Sequence, residues 1–375
     1  MKILFTCGGT AGHINPAVAL ARLFQERKMG TEVLFVGAKG GMEERLIPKE
    51  GFSLETVTIS AFRRKLSLSG LRYNLNTLRN LSVSRKEAQR ILSRFAPDLV
   101  VGTGGYASYP VVREAARLGI PTAVHESNAI PGLTTKRLSA YADCVMVGFP
   151  GCESSYRHPE RVVVTGTPVR GAFFERTRKE AKQALGIPED AHLVLSYWGS
   201  LGAEYMNRYM NDFLELECQE RPGFYHIHGA GRNYASMQGE LSLRGLTLPP
   251  QIQLHEYLYD MPCIMAAADL VLCRGGASTI SELTSLGRAA IIVPSPHVTN
   301  DHQGKNAGVL AAAGAATVIP EAQASGAALF QETSRLLRES TRRKQMEHAM
   351  STLGMPDASE RIYQTLQKLL QKNGN

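Results

Sequence analysis

Three glycine-rich turns in this 375-residue chain have the composition of anion-binding loops. Each follows a short apolar run and precedes a helical pattern, so its backbone N–H groups and the positive end of the next helix can face an anion. A single turn of this kind serves tight turns and close packing equally well, whereas three favour a diphosphate-bearing ligand. The turns are Gly8-Gly-Thr-Ala-Gly-His13, Gly102-Thr-Gly-Gly-Tyr106 and Gly275-Gly-Ala-Ser-Thr279.

The second turn also fits a dinucleotide-binding fingerprint. Gly102-x-Gly104-x-x-Ala107 is followed, about 20 residues later, by Glu126, where a ribose-binding acid is expected. A nicotinamide or flavin oxidoreductase is therefore an alternative interpretation, although the match lies inside the chain and not in its first strand–helix unit. No GxxxxGK(S/T) motif occurs, which argues against a Walker-type NTPase.

Histidines near these turns are candidates for proton transfer or metal binding. His13 follows the first turn at the expected start of a helix, where a neutral imidazole could accept a proton. The cluster His125-Glu126-Ser-Asn128 ends a predicted strand. His226-x-His228 places two imidazoles on one strand face, but no third ligand has suitable spacing, so we predict no metal site.

Alternating strands and helices must position these residues. Short apolar runs separated by helical patterns, such as 14–28, predict a parallel α/β sheet. Asp98-Leu-Val-Val-Gly-Thr-Gly-Gly recurs as Asp269-Leu-Val-Leu-Cys-Arg-Gly-Gly at an offset of 171, which indicates two similar Rossmann-like domains. The predicted strands are Lys2–Cys7, Glu32–Val36, Asp98–Val101, Thr122–His125, His192–Tyr197 and the run after Asp269.

Glycine and proline interrupt the pattern near Thr165-Gly-Thr-Pro-Val-Arg170, where we expect the domain boundary. We predict an N-terminal domain over residues 1–165 and a C-terminal domain over residues 166–350. Residues 351–375 should contain a helix, capped by Asp357, that packs back toward the N-terminal domain.

The charge differs between the two halves. Residues 1–170 hold 23 Lys+Arg against 13 Asp+Glu, whereas residues 171–375 hold 19 against 21. The segment 61–94 has nine basic residues and one acidic residue, which suggests an anionic partner. Its leucines recur at helical spacing, as in a basic amphipathic helix on an anionic membrane or a surface helix packed on the sheet. Nucleic acid is disfavoured because few aromatic residues interleave the charges.

Composition narrows the class further. The chain is 43% hydrophobic and 20% charged, which is ordinary for a globular protein and excludes gross disorder or a coiled coil. No apolar run reaches the roughly 20 residues of a membrane span, and the N-terminus is not expected to be a signal peptide. Six cysteines without a CxxC pair indicate reduced cytosolic thiols.

Taken together, the motifs resemble glycosyltransferase family 28, a GT-B family. The resemblance runs from residue 1 to about residue 320 and implies an α/β GT-B fold, in which two Rossmann-like domains with parallel sheets face each other across a cleft. The motifs that carry it, in order, are GGTAGHINPAVALA, VVGTGGYASYPV, HESNAIPGLTTKRLSAYAD, VVVTGTPVR, GSLGA, CRGGASTISEL and DHQGKNA.

The resemblance also implies an inverting reaction of peptidoglycan synthesis. The donor would be UDP-N-acetylglucosamine, held mainly by the C-terminal domain. The acceptor would be the muramoyl 4-hydroxyl of lipid I, an undecaprenyl-diphosphate-linked muramoyl peptide, and the product lipid II. The protein would act peripherally at the cytoplasmic face of the bacterial plasma membrane through 61–94, without cofactor, metal or nucleic acid.

The resemblance assigns site residues by motif. His13 is the expected general base and Glu126 the second candidate. His13, Tyr106, His125 and Glu126 would line the acceptor side, and Gly104 would bind substrate. The donor would be held by Thr10, Ala11 and Gly12, then by Asn128, Arg170, Ser200, Leu258, Ala277, Ser278, Thr279, Ile280, Ser281, Glu282 and Gln303.

Three other interpretations stay open at this point. One is a GT-B transferase with a different lipid or natural-product acceptor. The second is the dinucleotide-dependent oxidoreductase, and the third is a non-catalytic sensor of nucleotide sugars.

Overall fold

The computed structural model describes residues 1–59, 68–199 and 202–373, with the side chains of residues 11, 68–79, 299 and 373 also left undescribed. It divides the chain into two compact units. The first comprises Met1–Val169 with Met355–Asn375, and the second is Arg170–Gly354.

The first unit is built on a seven-stranded sheet in the order β3-β2-β1-β4-β5-β6-β7, with every neighbouring pair parallel. Its strands are β1 Lys2–Thr6, β2 Glu32–Ala38, β3 Ser53–Val57, β4 Leu99–Gly102, β5 Thr122–Glu126, β6 Cys144–Val147 and β7 Val162–Val164. Its helices are α1 Ala11–Arg27, α2 Glu43–Lys49, α3 Leu68–Phe95, α4 Ser108–Arg117, α5 Leu133–Leu138 and, from the chain's end, α14 Ala358–Asn373.

Helices cover both faces of this sheet, which is why its central strands are almost continuously apolar. On one face α1 and α14 bury Phe24 against Tyr363, with ring centroids 4.8 Å apart. On the other face α3 buries Ala88, Ile91 and Leu92 at helical spacing. The C-terminal part of α3 therefore packs on the sheet through these three residues. The prediction for residues 60–67, and for the side chains of 68–79, lies outside the described residues.

The second unit repeats the plan with a six-stranded parallel sheet in the order β10-β9-β8-β11-β12-β13. Its strands are β8 Leu193–Tyr197, β9 Tyr225–Gly229, β10 Ile252–His255, β11 Leu270–Cys273, β12 Ala290–Ile292 and β13 Ala316–Val318. Its helices are α6 Arg178–Ala184, α7 Glu204–Glu220, α8 Tyr234–Leu243, α9 Met261–Ala267, α10 Ala277–Leu286, α11 His302–Ala312, α12 Gly326–Arg338 and α13 Ser340–Leu353.

The repeated Asp-Leu-Val motif has the same position in both units. Asp98 precedes β4 and accepts a hydrogen bond from the backbone N–H of Lys2 at 2.8 Å. Asp269 precedes β11 and accepts one from Leu193 N–H at 2.9 Å. Each aspartate thus ties the start of one central strand to its neighbour, and the prediction of two similar Rossmann-like domains with parallel sheets is confirmed.

The structure shifts several predicted boundaries by one to three residues. The first helix begins at Ala11 and not at residue 14, because the carbonyl of Thr10 already accepts from the N–H groups of His13 and Ile14. No helix within the described ranges is both long and apolar enough to cross a bilayer.

Candidate active site

The first glycine turn follows β1, and its Gly8–Gly9 peptide is already hydrogen-bonded within the chain. The N–H of Gly9 donates to Oε1 of Glu43 at 2.7 Å, and Glu43 is fully buried. A buried carboxylate at this point opposes an anion. The prediction that this turn cradles a phosphate is therefore wrong for the Gly9 N–H, and the side chain responsible was not singled out in the sequence.

The second turn, after β4, packs directly on the first. Gly105 has φ +81°, and a Cβ there would lie 2.0 Å from the carbonyl oxygen of Gly8. Gly104 has φ +108°, and a Cβ there would lie 2.6 Å from Cδ2 of His13. The ring of Tyr106 lies against Gly9. These glycines serve the close approach of two backbones around His13.

His13, in the first turn of α1, is held by both glycine turns. Its Nδ1 lies 2.7 Å from the carbonyl oxygen of Gly8 and 3.3 Å from Oγ1 of Thr10. Oγ1 of Thr103 donates to the His13 carbonyl at 2.7 Å. Since a carbonyl only accepts, Nδ1 carries the proton in this contact. A neutral ring then presents an unprotonated Nε2, which is the form required of a general base. Gly12, beside it, is partly exposed on α1.

Both carboxylate oxygens of Glu126, at the end of β5, accept hydrogen bonds from the loop that follows it. Oε1 accepts from the side-chain amide of Asn128 at 2.8 Å and from its backbone N–H at 3.1 Å. Oε2 accepts from Gly132 N–H at 2.9 Å. These bonds disfavour the expectation that Glu126 is the base or binds a ribose, because both oxygens shape the loop.

His125 does not face an open surface. Its side chain is fully buried, and Nε2 lies 2.9 Å from the carbonyl oxygen of Gly166. Burial lowers its pKa, while the Gly166 carbonyl acts in the opposite direction. The expectation that His125 lines the acceptor side is therefore not supported.

The second unit has an open pocket at the carboxyl ends of β8, β9 and β10. Leu258 is largely buried there, and Arg170 contributes an exposed guanidinium 5.5 Å from the ring of Phe173. Ligands of open α/β sheets bind at this edge. The lining residues are Arg170, Tyr197, Gly199, Gly229, Gly231, Glu256, Tyr257, Leu258, Tyr259 and Met261.

The third glycine turn leads into α10 beside this pocket. Within the described residues, no side chain caps the helix after Gly276, so its first N–H groups and its positive end stay available for an anion. Oγ of Ser278 is buried without a partner in the described chain. Oγ1 of Thr279 lies 3.4 Å from the hydroxyl of Tyr197, a pocket residue.

Not every residue of α10 assigned by motif points outward. Ile280 is 1% exposed, so its side chain belongs to the core. Oγ of Ser281 donates to the carbonyl of Ala277 at 2.9 Å. Burial raises the pKa of the Glu282 carboxyl to about 7, against the opposing charge of Arg170. A carboxyl with a raised pKa that interacts with the pocket residues Arg170 and Tyr197 is a candidate functional group.

The backbone of Gln303 packs against Gly275 in the third glycine turn. A Cβ on Gly275 would lie 2.4 Å from the carbonyl oxygen of Gln303, so only glycine fits. The side-chain Oε1 of Gln303 accepts from Ser295 N–H at 2.8 Å, which fixes the amide orientation. Ser200 and the side chain of Ala11, both assigned by motif, lie outside the described residues.

The hydroxyl of Ser196 lies within hydrogen-bonding distance of both His226 and His228. Oγ of Ser196 lies 2.7 Å from Nε2 of His226 and 2.6 Å from Nδ1 of His228, and Glu217 lies 2.7 Å from the other nitrogen of His226. All four side chains are buried, and burial lowers the pKa of His228 to about 3. Among the described residues, no three His, Cys, Asp or Glu side chains cluster as a metal would require.

Sequence reasoning missed most of the pocket. Gly229 ends β9 and Gly231 follows it, in the same glycine-after-strand pattern as the three turns, and this signal could have been read. Tyr257 and Tyr259, on either side of Leu258, are 50% and 90% exposed and were not singled out. Glu43 follows Gly40-Gly41, but nothing in the sequence places it beside Gly9.

Two family models match the chain. The glycosyltransferase family 28 N-terminal domain matches residues 3–147, and the family 28 C-terminal domain matches residues 194–362. Similar curated proteins are named UDP-N-acetylglucosamine–N-acetylmuramyl-(pentapeptide) pyrophosphoryl-undecaprenol N-acetylglucosamine transferase. The one from Acetivibrio thermocellus is 40% identical and covers 99% of this chain and 98% of its own. The one from Thermoanaerobacter sp. is 39% identical and covers 98% and 100%.

Solved structures give the same assignment of fold. Acinetobacter baumannii MurG matches with a TM-score of 0.77 at 26% identity, covering 98% of this chain and 99% of its own. A calicheamicin glycosyltransferase matches with a TM-score of 0.71 at 15% identity, covering 99% and 98%, and indicates the fold alone. These matches confirm the resemblance found in the motifs and set the oxidoreductase interpretation aside. The chain belongs to glycosyltransferase family 28.

Proposed function

We propose that this chain transfers N-acetylglucosamine from UDP-N-acetylglucosamine to the muramoyl 4-hydroxyl of lipid I, forming lipid II in peptidoglycan synthesis. The observation that carries the proposal is the open pocket beside the uncapped start of α10, in a chain of family 28. The names of its relatives supply the two substrates.

In this proposal the second unit holds UDP. The uracil and ribose occupy the pocket along Leu258 and Tyr197, and Glu282 accepts from the ribose hydroxyls. The diphosphate lies against the N–H groups and hydroxyls at the start of α10, and Gln303 binds the sugar hydroxyls. The helix end and the Arg170 guanidinium offset the charge that develops on departing UDP.

The first unit supplies the base. The 4-hydroxyl oxygen of the acceptor attacks the anomeric carbon, the bond from that carbon to the UDP oxygen breaks, and Nε2 of His13 takes the hydroxyl proton. The attack comes from the face opposite UDP, so the configuration inverts. A positioned base of this kind contributes about 10²–10⁴-fold to the rate.

We also propose that 61–94 binds an anionic membrane surface at the cytoplasmic face of the plasma membrane, where a polyprenyl-linked acceptor is reached. Support comes from its nine basic residues and one acidic residue. Within its described part Arg85 pairs with Glu114 and Arg94 with Glu55, whereas Lys86 and Arg90 are exposed.

The direct test is UDP release from UDP-N-acetylglucosamine, with and without a lipid I analogue, in EDTA. Acceptor-dependent release is the expected result. Donor binding without release would favour a different acceptor or a sensor, and absence of donor binding would contradict the proposal.

A further inference from the structure

We infer that Glu43 is a positioning residue for His13, acting through the single peptide group that joins Gly8 to Gly9. The inference rests on the proposed role of His13 as base and deepens it. Oε1 of Glu43 accepts from the N–H of this peptide at 2.7 Å. The carbonyl oxygen of the same peptide lies 2.7 Å from Nδ1 of His13.

One peptide group therefore connects a carboxylate to an imidazole. A carboxylate that accepts from an N–H polarises the amide, and this increases the negative charge on the carbonyl oxygen at the other end. That oxygen then holds the Nδ1 proton of His13 more strongly. The effect is that of the aspartate in a Ser-His-Asp triad, which fixes the imidazole tautomer and stabilises the imidazolium.

Three glycines make room for the side chain of Glu43. A Cβ on Gly8, Gly37 or Gly41 would lie 2.6, 2.8 or 2.0 Å from an atom of the Glu43 side chain. Oε2 is buried without a hydrogen-bond partner in the described chain. Since burying a carboxylate with so few partners is unfavourable, stability alone does not account for it.

Charge and hydrogen bonding can be separated with two variants. Glu43→Gln keeps a carbonyl oxygen for Gly9 N–H and removes the charge, whereas Glu43→Met keeps the length and removes the acceptor. The control is Glu44→Gln, since neighbouring Glu44 also accepts from a glycine N–H, that of Gly40 at 2.9 Å, on an exposed turn.

The first readout is the His13 tautomer, measured by ¹⁵N NMR of histidine-labelled protein and assigned with a His13→Gln variant. Wild type and Glu43→Gln should hold the proton on Nδ1. In Glu43→Met nothing anchors the Gly9 N–H, so the peptide can turn its carbonyl away from His13 and a mixture of tautomers should result. The second readout is kcat for acceptor-dependent UDP release. We expect a loss of about 10-fold in Glu43→Gln, since charged hydrogen bonds are about twice as strong as neutral ones, and a larger loss in Glu43→Met, with the Kd for UDP unchanged in both.

An unshifted tautomer in Glu43→Met, or wild-type kcat in Glu43→Gln, would overturn the inference. If Glu43→Met does not fold, the kcat of Glu43→Gln decides. If the wild type releases no UDP with the lipid I analogue, the proposed function fails. The tautomer comparison, with the backbone amide shift of Gly9 in Glu43→Gln, still decides whether Glu43 acts on this peptide.

Discussion

The six strands of the second sheet follow the same order as the first six strands of the first sheet, but the carboxyl edges of the two sheets differ in what fills them. In the first unit, the turn after β1 is filled from within by Glu43 and stacked on the turn after β4. In the second unit, Gly199 lines the pocket, and a Cβ added there would meet no described atom within 4 Å. Under the proposed function, one fold thus yields a closely packed mount for a base and an open site for a nucleotide, which agrees with the view that function lies in sites and not in folds.

The largest expected effect concerns His13. His13→Gln removes the base but leaves the second unit intact, so kcat should fall about 10²–10⁴-fold while the Kd for UDP stays at the wild-type value. UDP release and calorimetric titration with UDP measure the two quantities. His158→Gln, a change at a partly exposed histidine paired with Glu160, is the control and should alter neither. Equal losses of kcat and donor affinity would contradict the division of roles between the edges.

The next effect distinguishes the two repeated aspartates. Asp269 is 5% exposed and pairs at 2.8 Å with Lys182, itself 3% exposed, whereas Asp98 is exposed. Asp269→Asn leaves a buried ammonium without its counter-charge and should cost about 3–5 kcal/mol in the free energy of unfolding. Asp98→Asn should cost under about 1 kcal/mol, and urea denaturation measures both. Similar losses of unfolding free energy in the two variants would show that burial does not set the contribution of these aspartates to stability.

The ion pair between Asp269 and Lys182 also predicts that the free energy of unfolding falls at acid pH. Burial raises the Asp269 pKa, but the hydrogen bonds from Lys182 and Leu193 N–H outweigh it, so the net pKa is lowered. The ionised form therefore stabilises the fold above the unfolded pKa of about 3.9, and that stability is lost as pH falls through the lower folded value. In Asp269→Asn this part of the acid dependence should be absent from the unfolding curves.

A glycine pair tests how tightly each edge is packed. Gly105 and Gly199 both have positive φ, +81° and +93°. Gly105→Ala adds a methyl against the Gly8 carbonyl and should cost about 2–4 kcal/mol, whereas Gly199→Ala should cost only the left-handed backbone strain, about 1–2 kcal/mol. Thermal unfolding of both variants measures the difference. A Gly199→Ala loss as large as that of Gly105→Ala would mean that the second edge is not open.

The smallest expected effect concerns Glu282 and has opposite signs for binding and stability. The pKa of Glu282 is about 7 in the folded chain and about 4.3 in the unfolded chain. The free energy of unfolding is therefore unaffected by this carboxyl below a pH of about 4.3, and it falls as pH rises through about 7. Glu282→Gln should therefore raise Tm at pH 8 but not at pH 4. The same change should weaken UDP binding about 10-fold through a lost charged hydrogen bond. Unchanged Tm at pH 8 would contradict the burial of this carboxyl.

Sequence reasoning recovered the sheets because buried parallel strands are apolar throughout, and it recovered the duplication because Asp98 and Asp269 begin matching runs. It singled out His13 and α10 because glycine turns mark the ends of strands, and their roles stay predictions. It could not recover Glu43 or Tyr197, because their importance comes from contacts between residues far apart in the chain. It could not show that the side chains of His125 and Ile280 are buried, because motifs and spacing alone do not reveal burial.

Hydrogen exchange with and without saturating UDP probes both sheet edges in one experiment. We expect slower exchange at 229–231, 256–261 and 276–282, with residues 8–13 unchanged. Protection at 8–13 and 102–107 with none at 276–282 would contradict this expectation, since the nucleotide would then occupy the edge that Glu43 fills.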